Sequence, residues 1–287
     1  MKLGLYDLAC TTVYAARNDP RFSYCLYVPP DFRSGSVPPE LVVVIHGSPR
    51  TFMAFRDRFQ DFGTDHNALI LCPLFPVGVA GDGNPDGYKY LSEPGLRYDE
   101  ILLDIVSEVA DRWQVPCPRF GLFGFSGGAQ FVNRFLLVRP DRLWAASIAS
   151  PGSVTLLADD WDWWVGVRDF RDRLGIALDR DALRRVPVQT LVGTADLDTH
   201  EITHRPGGRY WMEGANRAGA SRPERLETLR RSLVDAGVDV AHETVAGVGH
   251  DPWPIIERAK PFLATHLSRL RVAAAAAPRA ANMNEAR

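Results

Sequence analysis

The sequence predicts an α/β domain: a mainly parallel, twisted sheet flanked by helices, with a small cap inserted. Three observations carry this. Short apolar runs alternate along the chain with segments whose apolar residues recur at helical spacing. One run, Leu41-Val42-Val43-Val44-Ile45, shows no polar alternation, as expected of a strand covered on both faces in a parallel sheet. A third run, at 120–125, passes through a glycine-rich turn straight into a helical pattern at 129–138.

Taken in order, the runs at 22–28, 41–45, 68–75, 120–125, 144–149, 186–192 and 238–245 read as strands. Between them, Leu102, Ile105, Val106, Val109 and Trp113 place one apolar stripe along a helix that can lie on the sheet. Leu226, Leu229 and Leu233 repeat the pattern, as do Ile256, Ala259, Leu263, Leu267 and Leu270. Two stretches interrupt the alternation. Residues 77–96 are rich in Gly, Asp and Pro, and residues 153–185, holding Trp161, Trp163 and Trp164, read as the cap insertion. The chain is therefore read as one domain, 1–271. Residues 272–287, with five consecutive alanines followed by polar residues, read as a frayed or disordered tail.

Composition narrows the function. In 287 residues, 46% hydrophobic and 24% charged are ordinary for a globular protein and leave no room for disorder, collagen or a transmembrane bundle. A net charge of −2 without a basic run lacks the electrostatic footprint of a nucleic-acid binder, so the expected partner is a small molecule. Residues 1–7 carry no long apolar core, so neither export signal nor membrane anchor is expected and the location is read as cytoplasmic. The four cysteines have no C-x-x-C spacing and read as reduced thiols.

Chemistry is expected at the carboxyl ends of the strands. There, Gly124-Phe125-Ser126-Gly127-Gly128 forms a G-x-S-x-G pentad between strand and helix, the setting of a nucleophile elbow. A serine hydroxyl needs a base to take its proton and a carboxylate to orient that base. Asp196 ends the strand at 186–192 and His250 follows the last strand, giving the chain order Ser126, Asp196, His250. Asp198 competes with Asp196 for the acid, but Asp196 lies nearer the strand end. The turn His46-Gly47-Ser48 follows the strand at 41–45, so the Ser48 and Gly127 amides are the expected oxyanion donors, each able to contribute about 3 kcal/mol. His46, directly before that turn, is the poorer base. Trp161, Trp163 and Trp164, with Phe170, are expected either to line a substrate pocket or to form the cap's own core. Arg50 and Arg168 are candidates to meet a substrate carboxylate, but among 33 basic residues both read as solvated surface.

With His46-Gly47, the elbow at Ser126, Asp196 and His250 spread over residues 41–251, the chain resembles the α/β-hydrolases. Its layout is similar to intracellular carboxylesterases and, more weakly, to the branch of polyhydroxybutyrate depolymerases and feruloyl esterases. The resemblance implies an α/β-hydrolase fold and serine hydrolysis of a carboxylic ester through an acyl-enzyme, without cofactor or metal. Peptide or thioester hydrolysis and acyl transfer use the same parts, and a non-catalytic ligand-binding member of the fold is the alternative of a different class.

Two metal motifs compete. His200-Glu201-Ile202-Thr203-His204 matches H-E-x-x-H, but β-branched residues and the following Pro206-Gly207-Gly208 argue against the helix that zinc chemistry requires. Asp82, Asn84, Asp86, Gly87 and Glu93 have the spacing of a calcium loop, yet the preceding prolines and glycines cannot supply an entering helix, and a turn-rich surface loop is expected.

Overall fold

Strand β4 (Glu40–Ile45) shows why its sequence does not alternate. Leu41, Val43 and Ile45 face one apolar cluster while Val42 and Val44 face another, and all five are buried. In this computed structural model, which describes residues 3–34 and 37–276, β4 is central in a nine-stranded sheet. Its neighbours are β5 (Ala68–Leu74) and β8 (Phe120–Phe125), both parallel to it. Beyond β8, strands β9 (Leu143–Ala149), β10 (Val188–Gly193) and β11 (Val240–Val245) continue in parallel. Beyond β5, strand β3 (Ser23–Val28) runs antiparallel and pairs with the two-residue strands β1 (Ala9–Cys10) and β2 (Tyr14–Ala15).

Helices cover both faces. Leu102, Ile105, Val106 and Val109 of α3 (Tyr98–Trp113) share one cluster with α4 (Gly127–Val138) and α7 (Arg222–Asp235). The opposite cluster is closed by α1 (Phe52–Arg58), α2 (Gln60–Asp65) and α8 (Pro252–Ala276). All seven expected strands and the four expected helices are present. The sequence reading missed β1, β2, α1, α2 and the hairpin of β6 (Ser92–Glu93) with β7 (Leu96–Arg97), which are too short to show a period.

Between β9 and β10 the inserted segment holds only α5 (Phe170–Leu174) and α6 (Arg180–Arg184). It has no core of its own: Leu156, Val165, Val167, Phe170 and Leu183 join the main cluster. One expectation needs correction at the C-terminus. Helix α8 runs through Ala276, so 272–276 are helical rather than frayed, consistent with the high helix propensity of alanine. Residues 277–287 lie outside the described residues.

At the end of β4, His46 is fully buried. Its Nε2 accepts from the Phe75 N–H at 3.0 Å and its Nδ1–H donates to the Gly47 carbonyl at 2.8 Å, so the neutral Nδ1–H tautomer satisfies both partners. Burial pushes its pKa down to about 3, and burial likewise lowers that of His204 to about 4. In both cases the folded value lies below the unfolded one, so protons bind preferentially to the unfolded chain. The associated stability is present above the unfolded pKa of 6.5 and is lost as pH falls towards the folded values. Each residue should steepen acid destabilisation by about 1.4 kcal/mol per pH unit in that window. His46→Gln keeps an acceptor for Phe75 but cannot titrate. Thermal midpoints measured from pH 6.5 down to about 4 should fall less steeply for the variant than for the wild type; parallel slopes would refute the assignment.

Candidate active site

Ser126 joins β8 to α4 with φ 57° and ψ −114°, a backbone conformation that side-chain-bearing residues adopt at a cost of about 1–3 kcal/mol. Its N–H donates to the Ala149 carbonyl on β9 at 2.8 Å. Glycine is required on either side. A Cβ on Gly128 would collide with the Ile45 and His46 carbonyls, and one on Gly124 with the Gly128 backbone and Val132. The turn therefore forms where β4, β8 and the first turn of α4 press together.

His250 and Asp196 come from two loops that fold as one unit. A Cβ on Gly193 would meet the Val248 backbone, the Ala195 N–H donates to the Val248 carbonyl at 2.9 Å, and the Gly247 N–H donates to Thr194 Oγ1 at 2.9 Å. His250 Nδ1–H donates to Asp196 Oδ2 at 2.8 Å, leaving the Nε2 lone pair 2.9 Å from Ser126 Oγ. The imidazole also lies against the Phe125 ring, with centroids 4.7 Å apart. Asp198 takes no part: its carboxylate accepts from the His200 N–H at 2.8 Å. The structure thus brings Ser126, His250 and Asp196 together and leaves Asp198 outside.

Asp196 is buried, and its second oxygen accepts from Arg222 Nη1 at 3.0 Å. Burial pushes its pKa up, but the His250 hydrogen bond and charge and the Arg222 guanidinium outweigh it, holding the carboxyl below the usual range. Arg222 is itself buried at the first position of α7, behind its N-cap Ser221. Sequence reasoning missed this partner, because nothing in a helix N-terminus 26 residues after the acid signals that its side chain turns back to it.

The Gly47–Ser48 peptide is fixed through its carbonyl. The Gly47 oxygen accepts both from His46 Nδ1–H and from the Arg50 N–H at 3.1 Å. In a trans peptide the Ser48 N–H points the opposite way. Ser126 borders this turn, its Cβ lying 3.6 Å from where a Cβ on Gly47 would sit. Among the described residues neither the Ser48 nor the Gly127 N–H donates to a protein acceptor. Arg50 is no solvated residue. Its guanidinium donates to the carbonyls of Phe75, Ser48 and Pro85 and lies over the Tyr88 ring, clamping the turn to its neighbours. Arg168 is exposed and paired with Asp162, as expected of surface.

Beside the elbow lies a cavity of about 340 Å³. Lys89, Tyr90 and Gln130 form its side towards α4, and the loop after β10 supplies Ile202, Arg205 and Tyr210. Its link to the Ser126 turn is Lys89, whose Cε is 2.9 Å from where a Cβ on Gly127 would lie. None of the three tryptophans lines this cavity. Trp164 backs it, packing edge-on against Tyr90 at 5.2 Å and donating to the Tyr210 carbonyl at 3.0 Å. Trp163 packs on Phe170, and Trp161 lies under Arg217. Apart from Gln130 on α4, the lining residues named here went unread in the sequence because they sit in turns, where no periodicity marks a wall.

Both metal motifs are absorbed into internal contacts. His200 is exposed, whereas His204 turns inward to Tyr90, its Nε2 2.8 Å from the phenol oxygen, so the two imidazoles diverge. Asp82 and Glu93 do converge, but on Arg209, at 2.6 and 3.6 Å, while Glu93 also accepts from Tyr98 and Asn84. A guanidinium occupies the position that a cation would need.

Neither a protein-family model nor a curated protein matches the sequence. Solved structures do. LpqC, a poly(3-hydroxybutyrate) depolymerase from Bordetella parapertussis, is similar over 87% of this chain and 88% of its own, with a TM-score of 0.67 at 23% identity. Poly(aspartic acid) hydrolase-1 from Sphingomonas sp. KT-1 is similar over 84% and 93%, with a TM-score of 0.67 at 20% identity. An S-formylglutathione hydrolase from Agrobacterium tumefaciens is similar over 90% and 94%, with a TM-score of 0.58 at 17% identity. Likeness at such identity speaks for architecture, and together with the strand order it establishes that this chain has the α/β-hydrolase fold.

Proposed function

We propose that the protein is a serine hydrolase that cleaves a carboxylic ester of a small or medium-sized substrate through an acyl-enzyme. The observation that carries this is the continuous hydrogen-bonded line from Asp196 through His250 to Ser126, with the serine on a strained turn at a strand end. In this reading Ser126 Oγ attacks the ester carbonyl carbon and its proton passes to His250 Nε2. The ionised Asp196 stabilises the resulting imidazolium. The negative charge on the carbonyl oxygen is received by the Ser48 and Gly127 N–H groups, whose orientation is set before substrate arrives. Collapse expels the alcohol, which takes the proton from His250. Water then attacks the acyl-enzyme by the same route and releases the acid. No step needs a cofactor. The part of the substrate held beside the nucleophile lies in the cavity of Lys89, Tyr90, Gln130 and Tyr210, and Trp164 serves binding by supporting Tyr90.

A fluorophosphonate probe followed by peptide mapping should label Ser126 alone. Ser126→Ala should lower turnover of 4-nitrophenyl butyrate by at least about 10³-fold while the far-ultraviolet spectrum is unchanged. Labelling elsewhere, or retention of a tenth of the rate, would overturn the assignment.

The acid has its own test. Asp196→Asn removes the charge facing the imidazolium and should reduce kcat by three to four orders of magnitude, on the order of the loss typical of a triad acid. Asp198→Asn, which disturbs only the turn at His200, should stay within about threefold of the wild type. A reversed ranking would move the acid to Asp198.

A further inference from the structure

Beyond the class of reaction, the cavity carries information about which ester it takes, and this inference rests on the hydrolase reading above. Two arginines stand immediately behind its wall. Arg134, on α4 two turns after the nucleophile, is fully buried and donates to the carbonyls of Lys89 and Gln130 and to the hydroxyls of Thr155 and Ser153. Arg225, on α7, is equally buried and donates to the carbonyls of Gly152, Ile202 and Gly219 and to the Asn216 side chain. Among the described residues neither meets a carboxylate. Carbonyl and hydroxyl dipoles satisfy their hydrogen bonds without cancelling their charge. Burial lowers both pKa values to about 10, which leaves both protonated at neutral pH.

Lys89, Gln130, Gly152 and Ile202, which hold these two guanidiniums, are also residues of the cavity wall. The two charges therefore act on the cavity across about one layer of protein, where screening by salt is weak. Other charges nearby are paired: Lys89 with Asp86 at 2.5 Å, Arg209 with Asp82, Arg222 with Asp196. Arg205, on the rim, has no carboxylate partner among the described residues. Opposing these charges in the wall are Asp86, whose carboxylate is held by Lys89, and Glu201, whose side chain is 70% exposed and turned to Arg222; Glu93 accepts from Tyr98 and Asn84 and does not line this cavity. The two buried guanidiniums, neither with a carboxylate of its own, thus add positive charge next to a polar cavity beside Ser126, where Asp86 is already paired and Glu201 faces water.

We propose that this cavity binds an anionic group of the substrate, so that the enzyme prefers esters carrying a carboxylate over neutral esters of the same size. Lys89 is the side chain placed to meet that carboxylate. It is largely buried, lies against Gly127, and its ammonium has three donors, so it can bond the substrate carboxylate while still holding Asp86. Arg205 closes the rim, and Arg134 and Arg225 supply the field from behind.

Two matched pairs test this. Charge on the acyl side is read from 4-nitrophenyl hemisuccinate against 4-nitrophenyl butyrate; charge on the alcohol side from 4-acetoxybenzoate against phenyl acetate, each corrected for its rate with hydroxide. At low ionic strength kcat/KM should favour the charged member of at least one pair by about tenfold or more. In Lys89→Gln that ratio should fall towards one. Equal or inverted preference in both pairs, or an unchanged ratio in Lys89→Gln, would overturn the proposal while butyrate hydrolysis leaves the hydrolase reading standing. If no ester is turned over, the hydrolase reading fails instead. Calorimetry on Ser126→Ala still decides the cavity: glutarate should bind and glutaramide should not, and no difference between them would reject the anion site.

Discussion

The close approach of three backbones at Gly124 and Gly128 is the constraint on which the rest of the site depends. Side chains at either position would force β4, β8 and α4 apart. With them absent, the Ile45 and His46 carbonyls rest on the first turn of α4, and the strand-to-helix turn must be tight enough to hold Ser126 at positive φ. The same contact places the Gly47–Ser48 turn beside the serine. One packing requirement thereby fixes both Ser126 and the peptide that faces it, and a buried neutral histidine keeps that peptide from rotating.

Charge is arranged around this point by burial more than by number. The net charge is only −2, yet three arginines, Arg134, Arg222 and Arg225, are drawn almost wholly out of water. Removing a guanidinium from water is costly unless its donors are satisfied, and these arginines donate to carbonyls, hydroxyls, an amide or a carboxylate, with Arg222 Nε the one donor of theirs left buried without a partner among the described residues. They differ in electrostatic effect. Arg222 spends its charge on Asp196 and, with His250, keeps that carboxylate ionised, whereas Arg134 and Arg225 meet dipoles and, for Arg134, the faces of Tyr90 and Trp164, but no carboxylate, and so project a field beyond their own contacts. A net-charge argument from composition cannot distinguish these cases, because it weighs a buried guanidinium and an exposed one alike.

What the sequence disclosed follows from how local each signal is. Leu41 to Ile45 and the leucines of α7 declare their environments through periodicity, and the pentad at Ser126 sits between a strand and a helix that are both readable. Asp196 and His250 could be found because strand ends are where such groups must stand, and their spacing of 54 residues is bridged by the parallel pairing of β10 with β11. Arg222, Lys89 and Tyr210 could not be found in this way. Each reaches the site from a turn or the first residue of a helix, through contacts made across the fold, and no period in the chain encodes a tertiary contact. The sequence also leaves the tryptophans of the insertion open between pocket and packing, because size does not tell which surface a side chain meets: Trp164 packs behind Tyr90 and Trp163 on Phe170, and both border a second cavity.

The division between sheet and loops bears on how specificity can change in this architecture. Ser126, Asp196, His250 and the Gly47–Ser48 peptide all hang from strand ends locked by backbone contacts, so any shift in their geometry must disturb the central sheet. The cavity wall hangs mostly from the loop after β10 and the turns before α3, held by side-chain stacking such as that of Tyr90 on Tyr210 at 3.8 Å. Substitutions there alter contacts worth about 1 kcal/mol each, without touching the reacting groups. On the proposed function, the chemistry is therefore tied to the fold, and the choice of substrate is tied to a few side chains that the fold leaves free to vary.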